Sequence, residues 1–430
     1  MYKKNFFSID CIRKSWIEIF EKNNYLFINS SSLIPNNDHS LLWINSGVAS
    51  LKKYYSGELL PPSSNMVNCQ RVMRLEDLNN VSSNSCHQTL FEMLGSFSIG
   101  GNFKDRIIPI VLEWFTSSKW LNLDLKNIFV TVWEKDYICQ DIWKMTKIKK
   151  KNIIFGNKKT NFWDMGNGPC GPNSEIYYKL SSIDNNKKNF SINDLENNDF
   201  IEICNIVFPE FYHKEKILVP MIKKCVDVGA GLERICMIVQ KKKNNFDIDL
   251  WEGFDNYLSK KNNKKKNFFY IILDHLRTII FALGDGGFFD QKGRGYTLKK
   301  LMKRLCVFSY LLNINKETII NLSFKIIEKN SLFYKFLEIK KKKITDDIII
   351  EFEKFIFFID ECNKKIKKYN LLKVEEIFFL YDTKGIPLEL IKKELKRRKK
   401  TFPSKDFNKF LLMQKKRSEE DRKKKNIKIF

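Results

Sequence analysis

Three short stretches carry residue types that could do chemistry together. The first runs Cys225, Val226, Asp227, Val228, Gly229, Ala230, Gly231, Leu232, Glu233, Arg234 and stays apolar to Val239. A β-branched strand is predicted there, ending in a Gly-x-Gly turn that feeds a helix. Glycines let backbone approach a ligand closely and adopt positive φ, and a helix N-terminus favours an anionic group. Arg234, one turn in, could stack on a base or pair with a phosphate. Asp227, just before the turn, could hold a substrate ammonium. Taken alone, the string suits an ordinary strand–helix junction equally well.

The second stretch is Gln70, Arg71, Val72, Met73, Arg74, followed after a short loop by residues 86–97 with Phe91, Glu92, Met93, Leu94 and Gly95. It reads as two antiparallel strands joined by a polar loop. Arg74 lies where the first strand meets the loop, and a guanidinium fork can clamp a phosphate and a carboxylate side by side. A hairpin with a surface arginine has the same pattern. The third stretch, residues 161–176, has Gly166, Gly168, Pro169, Gly171 and Pro172 close together after Trp163. It reads as a tightly specified loop, with Trp163 as the wall of a small pocket or as a core residue beneath the loop.

The elements that must position these residues follow from periodicity. Ser8 is a plausible N-cap, and Ile9, Ile12, Trp16, Ile19 and Phe20 share one helical face. A short strand follows at 25–28. Strand-like runs at 127–133, 175–180 and 202–208 alternate with Gly/Pro/Asn-rich loops, and 181–199 reads as a polar surface loop. From about Lys241 helical periodicity dominates. The predicted fold is α+β, an antiparallel sheet flanked by helices over residues 1–242, then an all-helical domain over 243–430. In residues 298–305, Leu298, Leu301, Met302 and Leu305 share one face and Lys299, Lys300, Lys303 and Arg304 the other, which suits a phosphate backbone or a plain solvated face. The charge-dense stretch 415–428 is expected to fray.

Composition sets outer limits. The 430 residues are 43% hydrophobic and 14% aromatic, enough for two or three packed domains. No uncharged apolar run reaches membrane-spanning length in the sequence, and the first residues have no signal-peptide core. A cytoplasmic protein without a membrane partner is therefore expected. The ten cysteines are scattered without a CxxC pair, and with four histidines they offer no zinc-ligand spacing. A net charge of +26 suits a polyanion such as nucleic acid. Lysine and asparagine are also enriched in predicted loops such as 149–152 and 264–267, so compositional drift contributes.

Taken together, the three stretches resemble the signature motifs of class II aminoacyl-tRNA synthetases, and within that class the alanyl-tRNA synthetases. Gly229 to Arg234 resembles the third motif, the Arg74 hairpin the second, and the helix at 9–20 with its strand the first. Further matching strings run collinearly: Ser30 to Pro35, Asn37 and Asp38, Phe91 to Ser98, Phe162 to Gly166, Gly168 to Pro172, Asn205 to Phe208, Asp247 to Leu250, Arg294 to Leu298 and Leu380 to Thr383.

The resemblance implies activation of alanine with ATP and transfer to tRNA, with Mg²⁺ accompanying ATP on unassigned ligands and no zinc. It implies catalytic roles for Arg74 and Arg234. Around ATP it places Arg74, Phe91, Glu92, Gly229, Gly231 and Arg234. Around alanine it places Met93, Trp163, Asn205, Val207, Asp227 and Gly229. It implies contact with the tRNA acceptor stem through Arg294, Lys299, Lys300, Lys303, Arg304 and Asp382.

The family reads a G·U wobble pair with an asparagine and an aspartate. Asp382 matches the aspartate, but Gly293 stands where the asparagine falls. The loop after Arg74 is also shorter than the family's. No counterpart of the family's editing or C-terminal domain precedes Phe430, so a monomer without proofreading in cis is expected. The alternative is a catalytically inactive tRNA-binding relative.

Overall fold

The computed structural model describes residues 7–427 apart from 37, 39, 85, 165, 167, 181–189, 198, 215–216, 259–262 and 372. Eleven strands lie in its first half: β1 (Leu26–Phe27), β2 (Asn65–Met73), β3 (Leu90–Ile99), β4 (Ile128–Trp133), β5 (Ile153–Gly156), β6 (Phe162–Trp163), β7 (Gly168–Lys179), β8 (Phe200–Val207), β9 (Phe211–Lys214), β10 (Ile217–Pro220) and β11 (Cys225–Gly231). The main path is β1-β2-β3-β11-β8-β7-β4-β5. It is antiparallel except for the parallel pairs at its two edges, β1 with β2 and β4 with β5. The start of β7 also pairs with β6 and β9, and β9 with β10.

Helices α1 (Ile9–Glu21), α2 (Lys52–Tyr55), α3 (Lys104–Thr116), α4 (Tyr137–Met145), α5 (Ile192–Leu195) and α6 (Leu232–Val239) flank this sheet. The second half is helical: α7 (Asn263–Gly284), α8 (Gly293–Leu312), α9 (Lys316–Ser331), α10 (Phe336–Ile339), α11 (Lys341–Lys367), α12 (Val374–Asp382), α13 (Leu388–Arg397) and α14 (Ser404–Ile427). The α+β arrangement, sheet first and helices after, is the predicted one.

Local chemistry explains the start. Ser8 Oγ accepts the Cys11 N–H at 3.2 Å, capping α1. Ile9, Ile12, Trp16, Ile19 and Phe20 are buried, each worth about 1.5–3 kcal/mol of transfer energy. Trp16 packs edge-on against Trp114 of α3 at 4.8 Å and donates its indole N–H to the Gly95 carbonyl in β3. β2 is covered on both faces, so nearly every residue in it is buried and the usual alternation disappears.

Several local expectations change. The Gly-x-Gly segment is not a turn: β11 runs straight through Gly231, and α6 starts at Leu232 with neither Gly229 nor Gly231 at positive φ. Residues 168–172, predicted as loop, are the first part of β7, because β6 and β9 supply partners for their backbone. Within 181–199, residues 181–189 and 198 lie outside the described part. Ile192–Leu195 form α5 with a capping box at Ser191 and Asp194. Residues 264–267 open α7 instead of forming a loop, and the stretch predicted to fray lies within α14 up to Ile427. By length and composition, Lys265–Gly284 could cross a membrane, although it is not an uncharged run, carrying Asp274 and Arg277; 89% of that stretch is buried inside the protein.

Candidate active site

Side chains from one face of the sheet meet in a cleft. β3 contributes Phe91 and Met93, β11 contributes Asp227, Gly229 and Gly231, β8 contributes Asn205 and Val207, and β6 contributes Trp163. Arg74 enters from the end of β2 and Arg234 from the first turn of α6. The two-residue period of a strand puts 91 with 93 and 227 with 229 and 231. Antiparallel register then sets Asp227 beside Val207, Gly229 beside Asn205, and Gly231 beside Met93.

Gly229 leaves space rather than serving a special backbone torsion. A Cβ there would stand 2.9 Å from Met93 Sδ. The floor of the pocket is therefore bare backbone facing a thioether. Burial pushes the Asp227 carboxyl up to about 7. Among the described residues, no hydrogen bond or ion pair reaches that carboxylate. Asn205 is oriented from behind: its Oδ1 accepts from Asn173 Nδ2 at 3.1 Å, and its Nδ2 lies 3.5 Å from Glu175 Oε1. Burial, and then the neighbouring Glu202, raise Glu175 to about 7.

The two arginines occupy the upper walls. Arg74 donates Nε to the Asn45 carbonyl at 3.1 Å, and its guanidinium carbon lies 5.0 Å from the centre of the Phe91 ring. Arg234 donates Nη1 to the Glu202 carbonyl at 2.8 Å and lies 3.3 Å from its carboxylate. One flat cationic group is thus held by backbone on each side of the opening. Among the described residues no group of three or more His, Cys, Asp or Glu side chains converges as a metal cage. Among the residues lining the cleft, Asp77, Glu202, Asp227 and Glu233 are acidic.

Glu92, expected at the nucleotide, does not line the cleft. It sits between Phe91 and Met93 and therefore points to the opposite face, where it is fully buried. Arg13 binds it with Nε at 2.8 Å and Nη2 at 2.9 Å, Arg277 donates at 2.9 Å, and the Tyr334 hydroxyl donates at 2.7 Å. Burial alone would raise this carboxyl, but Arg13 and Arg277 hold it well below the usual range.

The cleft also contains residues that sequence reasoning did not name, among them Ser46, Asp77, His87, Gln88, Glu202 and Asn245. Plain alternation would put Glu202 on the face away from Asn205. A register shift between Ile176 and Tyr177 against β8 lets both face the cleft. Gln88 is 3% exposed, and neither polar atom of its amide has a partner among the described residues. A single unaligned sequence holds no signal for that.

The expected stem-contacting residues do not form one basic face. Lys300 is exposed, and Lys299 lies 3.9 Å from Glu351. Lys303 donates to the Gly385 carbonyl at 2.9 Å, and Arg304 donates to the Leu78 carbonyl in the hairpin loop. Burial lowers the pKa of both. The reason is that α8 is enclosed by α7, α11 and that loop, so its polar side is also packed. Arg294 turns inward to the Leu41 and Leu42 carbonyls. Asp382 is exposed and accepts from Gln414. Gly293 opens α8 at φ +54 with nothing near its missing Cβ.

The alanine–tRNA ligase of Mycoplasma mycoides subsp. mycoides SC is 38% identical over 409 residues, 89% of this chain and 46% of the relative. That of Mesomycoplasma hyopneumoniae strain 232 is 39% identical over 440 residues, 96% of this chain and 48% of the relative. The chain thus spans about half the length of the curated relatives it matches. Among solved structures, apo S. aureus histidyl-tRNA synthetase aligns at a TM-score of 0.35 and 11% identity, over 62% of this chain and 75% of that one. The family described as tRNA synthetases class II (A) matches residues 11–429, and the chain belongs to that family.

Proposed function

We propose that the chain activates alanine with ATP and transfers it to the 3′ end of a tRNA. The observation that carries this reading is Asp227, a partly exposed carboxylate that lines the cleft without a cationic partner among the described residues. It stands beside a pocket bounded by Met93, Trp163, Asn205, Val207 and Gly229. An amino-acid ammonium supplies the missing charge, and the bare floor at Gly229 leaves room for a methyl group.

In the first step, an alanine carboxylate oxygen attacks the α-phosphorus of ATP. The bond to the bridging oxygen breaks, and pyrophosphate leaves with the electron pair. Arg74 draws the carboxylate and the α-phosphate together and offsets the charge on the phosphoryl oxygens. Arg234 and Phe91 sandwich the adenine, with Gly231 allowing close approach. Asp77 or Glu202 would be the carboxylates to hold a Mg²⁺ bound with ATP, where it would offset phosphate charge. In the second step, a terminal ribose hydroxyl attacks the carbonyl carbon, AMP leaves with the electron pair of the acyl–oxygen bond, and the hydroxyl proton passes to a phosphate oxygen of the departing AMP. No protein nucleophile is needed.

On the tRNA side, Lys299, Lys300 and Asp382 are suited to direct contact with the acceptor stem. Arg294 and Arg304 shape that surface through backbone contacts.

The test is alanine-dependent ATP–pyrophosphate exchange, followed by charging of tRNA. Exchange with alanine that disappears in Arg74→Ala and Asp227→Ala supports the reading. A second reading, a tRNA-binding relative without catalysis, is favoured by Gly293 and the short loop after Arg74. Steeply salt-dependent tRNA binding without any exchange would establish it instead.

A further inference from the structure

Arg74 is connected to the first turn of α8 by a short segment with no regular secondary structure, residues 41–45. At its outer end, the Trp43 indole N–H donates to Thr297 Oγ at 2.9 Å. Thr297 Oγ in turn donates to the Arg294 carbonyl at 2.6 Å, and Arg294 reaches back to the Leu41 and Leu42 carbonyls. In the middle, Ile44 uses both backbone groups: its N–H donates to the Leu33 carbonyl at 2.9 Å, and its carbonyl accepts from Met73 at 2.8 Å. At the inner end, the Asn45 carbonyl accepts from Arg74 Nε. Trp43 is 3% exposed, so its N–H is shielded from water and its partner must come from protein.

This segment has one purpose that the local structure alone does not require. The Asn45 carbonyl fixes which way the Arg74 fork turns, because Nε is the guanidinium nitrogen nearest the chain. The carbonyl is two residues from Trp43 and one from Ile44, and Ile44 is already tied to β2. The outer end of the segment is held by the bond from Trp43 to Thr297, together with the Arg294 contacts to the Leu41 and Leu42 carbonyls.

We propose that Trp43 and Thr297 are positioning residues that hold Arg74 in its working orientation through residues 43–45. They thereby tie the first turn of α8 to the α-phosphate clamp. The inference rests on the activation chemistry proposed above. Neither residue touches substrate; both act through Arg74. A stem that shifts the Gly293–Arg294 turn moves Thr297 with it, and the same bond transmits that shift to Arg74.

The test uses the full chain in alanine-dependent ATP–pyrophosphate exchange, with Thr297→Val, Trp43→Phe, the double variant and Thr297→Ser. Valine matches threonine in shape and lacks the hydroxyl; phenylalanine keeps an aromatic ring and lacks the N–H. Each of these two is expected to lower kcat about 3–10-fold, the effect of one hydrogen bond. KM for alanine and ATP should stay within about twofold. The double variant should be no worse than the poorer single one, because both break the same bond. Thr297→Ser should restore kcat. Unchanged kcat in Thr297→Val, no rescue by serine, additive losses, or a loss confined to KM would each overturn the inference while leaving the function intact. Absence of exchange in the parent chain overturns the function, and the inference with it.

Discussion

Arg277 donates to Glu233 at 2.7 Å, and Glu233 is the chain neighbour of Arg234. The same guanidinium donates to Glu92, which lies between Phe91 and Met93. One buried cation on α7 thus fastens both walls of the cleft from behind, and all three of these charged side chains are at most 2% exposed. Burial raises the Glu233 carboxyl, and Arg277 opposes that rise.

Removing Arg277 should therefore be felt twice. Arg277→Met leaves Glu92 with Arg13 but deprives Glu233 of its cation. A loss of about 3–5 kcal/mol is expected, as for any buried pair broken on one side, measured by urea unfolding. KM for ATP should rise in the variant that remains folded, because Arg234 and Phe91 lose a shared anchor. Unchanged stability would contradict the ion-cluster account.

Asp227 gives a pH signature. With its carboxyl at about 7, the free protein holds a substrate ammonium well only above that pH, so KM for alanine should fall as pH rises through about 7. The stability effect has the opposite sense. The folded state prefers the neutral acid, whereas the unfolded chain ionises near 3.8, so stability falls between those values and levels off above about 7. Asp227→Asn should abolish that slope, be more stable than the parent above neutrality, and lose exchange by about 100-fold or more. Calorimetry across pH and exchange kinetics check both halves.

Gly229→Ala should change which amino acid fits. The new methyl group would meet Met93 Sδ at 2.9 Å, a flexible side chain that can yield, so the protein should fold. The pocket, however, loses about one methyl of room. KM for alanine is expected to rise by about 10-fold or more, with glycine affected less, since one methylene is worth about 10–200-fold in such a site. Exchange assays with both amino acids give the ratio.

Gly293→Asn tests the wobble reader. The left-handed φ of +54 is a conformation asparagine tolerates better than most side chains, and no atom lies within 4 Å of the new Cβ. Stability should change by less than about 0.5 kcal/mol, whereas Gly293→Ala should cost about 1–2 kcal/mol from the same torsion. If the family's asparagine role applies, charging of a G·U acceptor stem should gain over a G·C stem. Equal charging in parent and variant would remove Gly293 from the recognition account.

The sequence by itself determined many of the local elements, and its motifs named much of the cleft. The α1 face and the Ser8 cap follow from a period of 3.6 and a capping rule that act over a few residues, whereas Phe91, Met93, Asp227 and Gly229 were legible only through the motifs they share with class II synthetases. Tertiary structure decided the rest. Period 2 separates Glu92 from Phe91 but does not say which face holds the cleft; the packing of α1 and α7 does, and it turned an expected nucleotide contact into a buried ion cluster. A register shift in β8 brought Glu202 into the cleft against its parity. An amphipathic pattern in α8 showed two faces, but what covers the polar one, Gly385 over Lys303 and Leu78 over Arg304, comes from distant chain. Trp43 and Thr297 are 254 residues apart. Spacing rules arise from the geometry of a single element, and only packing between elements brings such a pair within hydrogen-bonding distance.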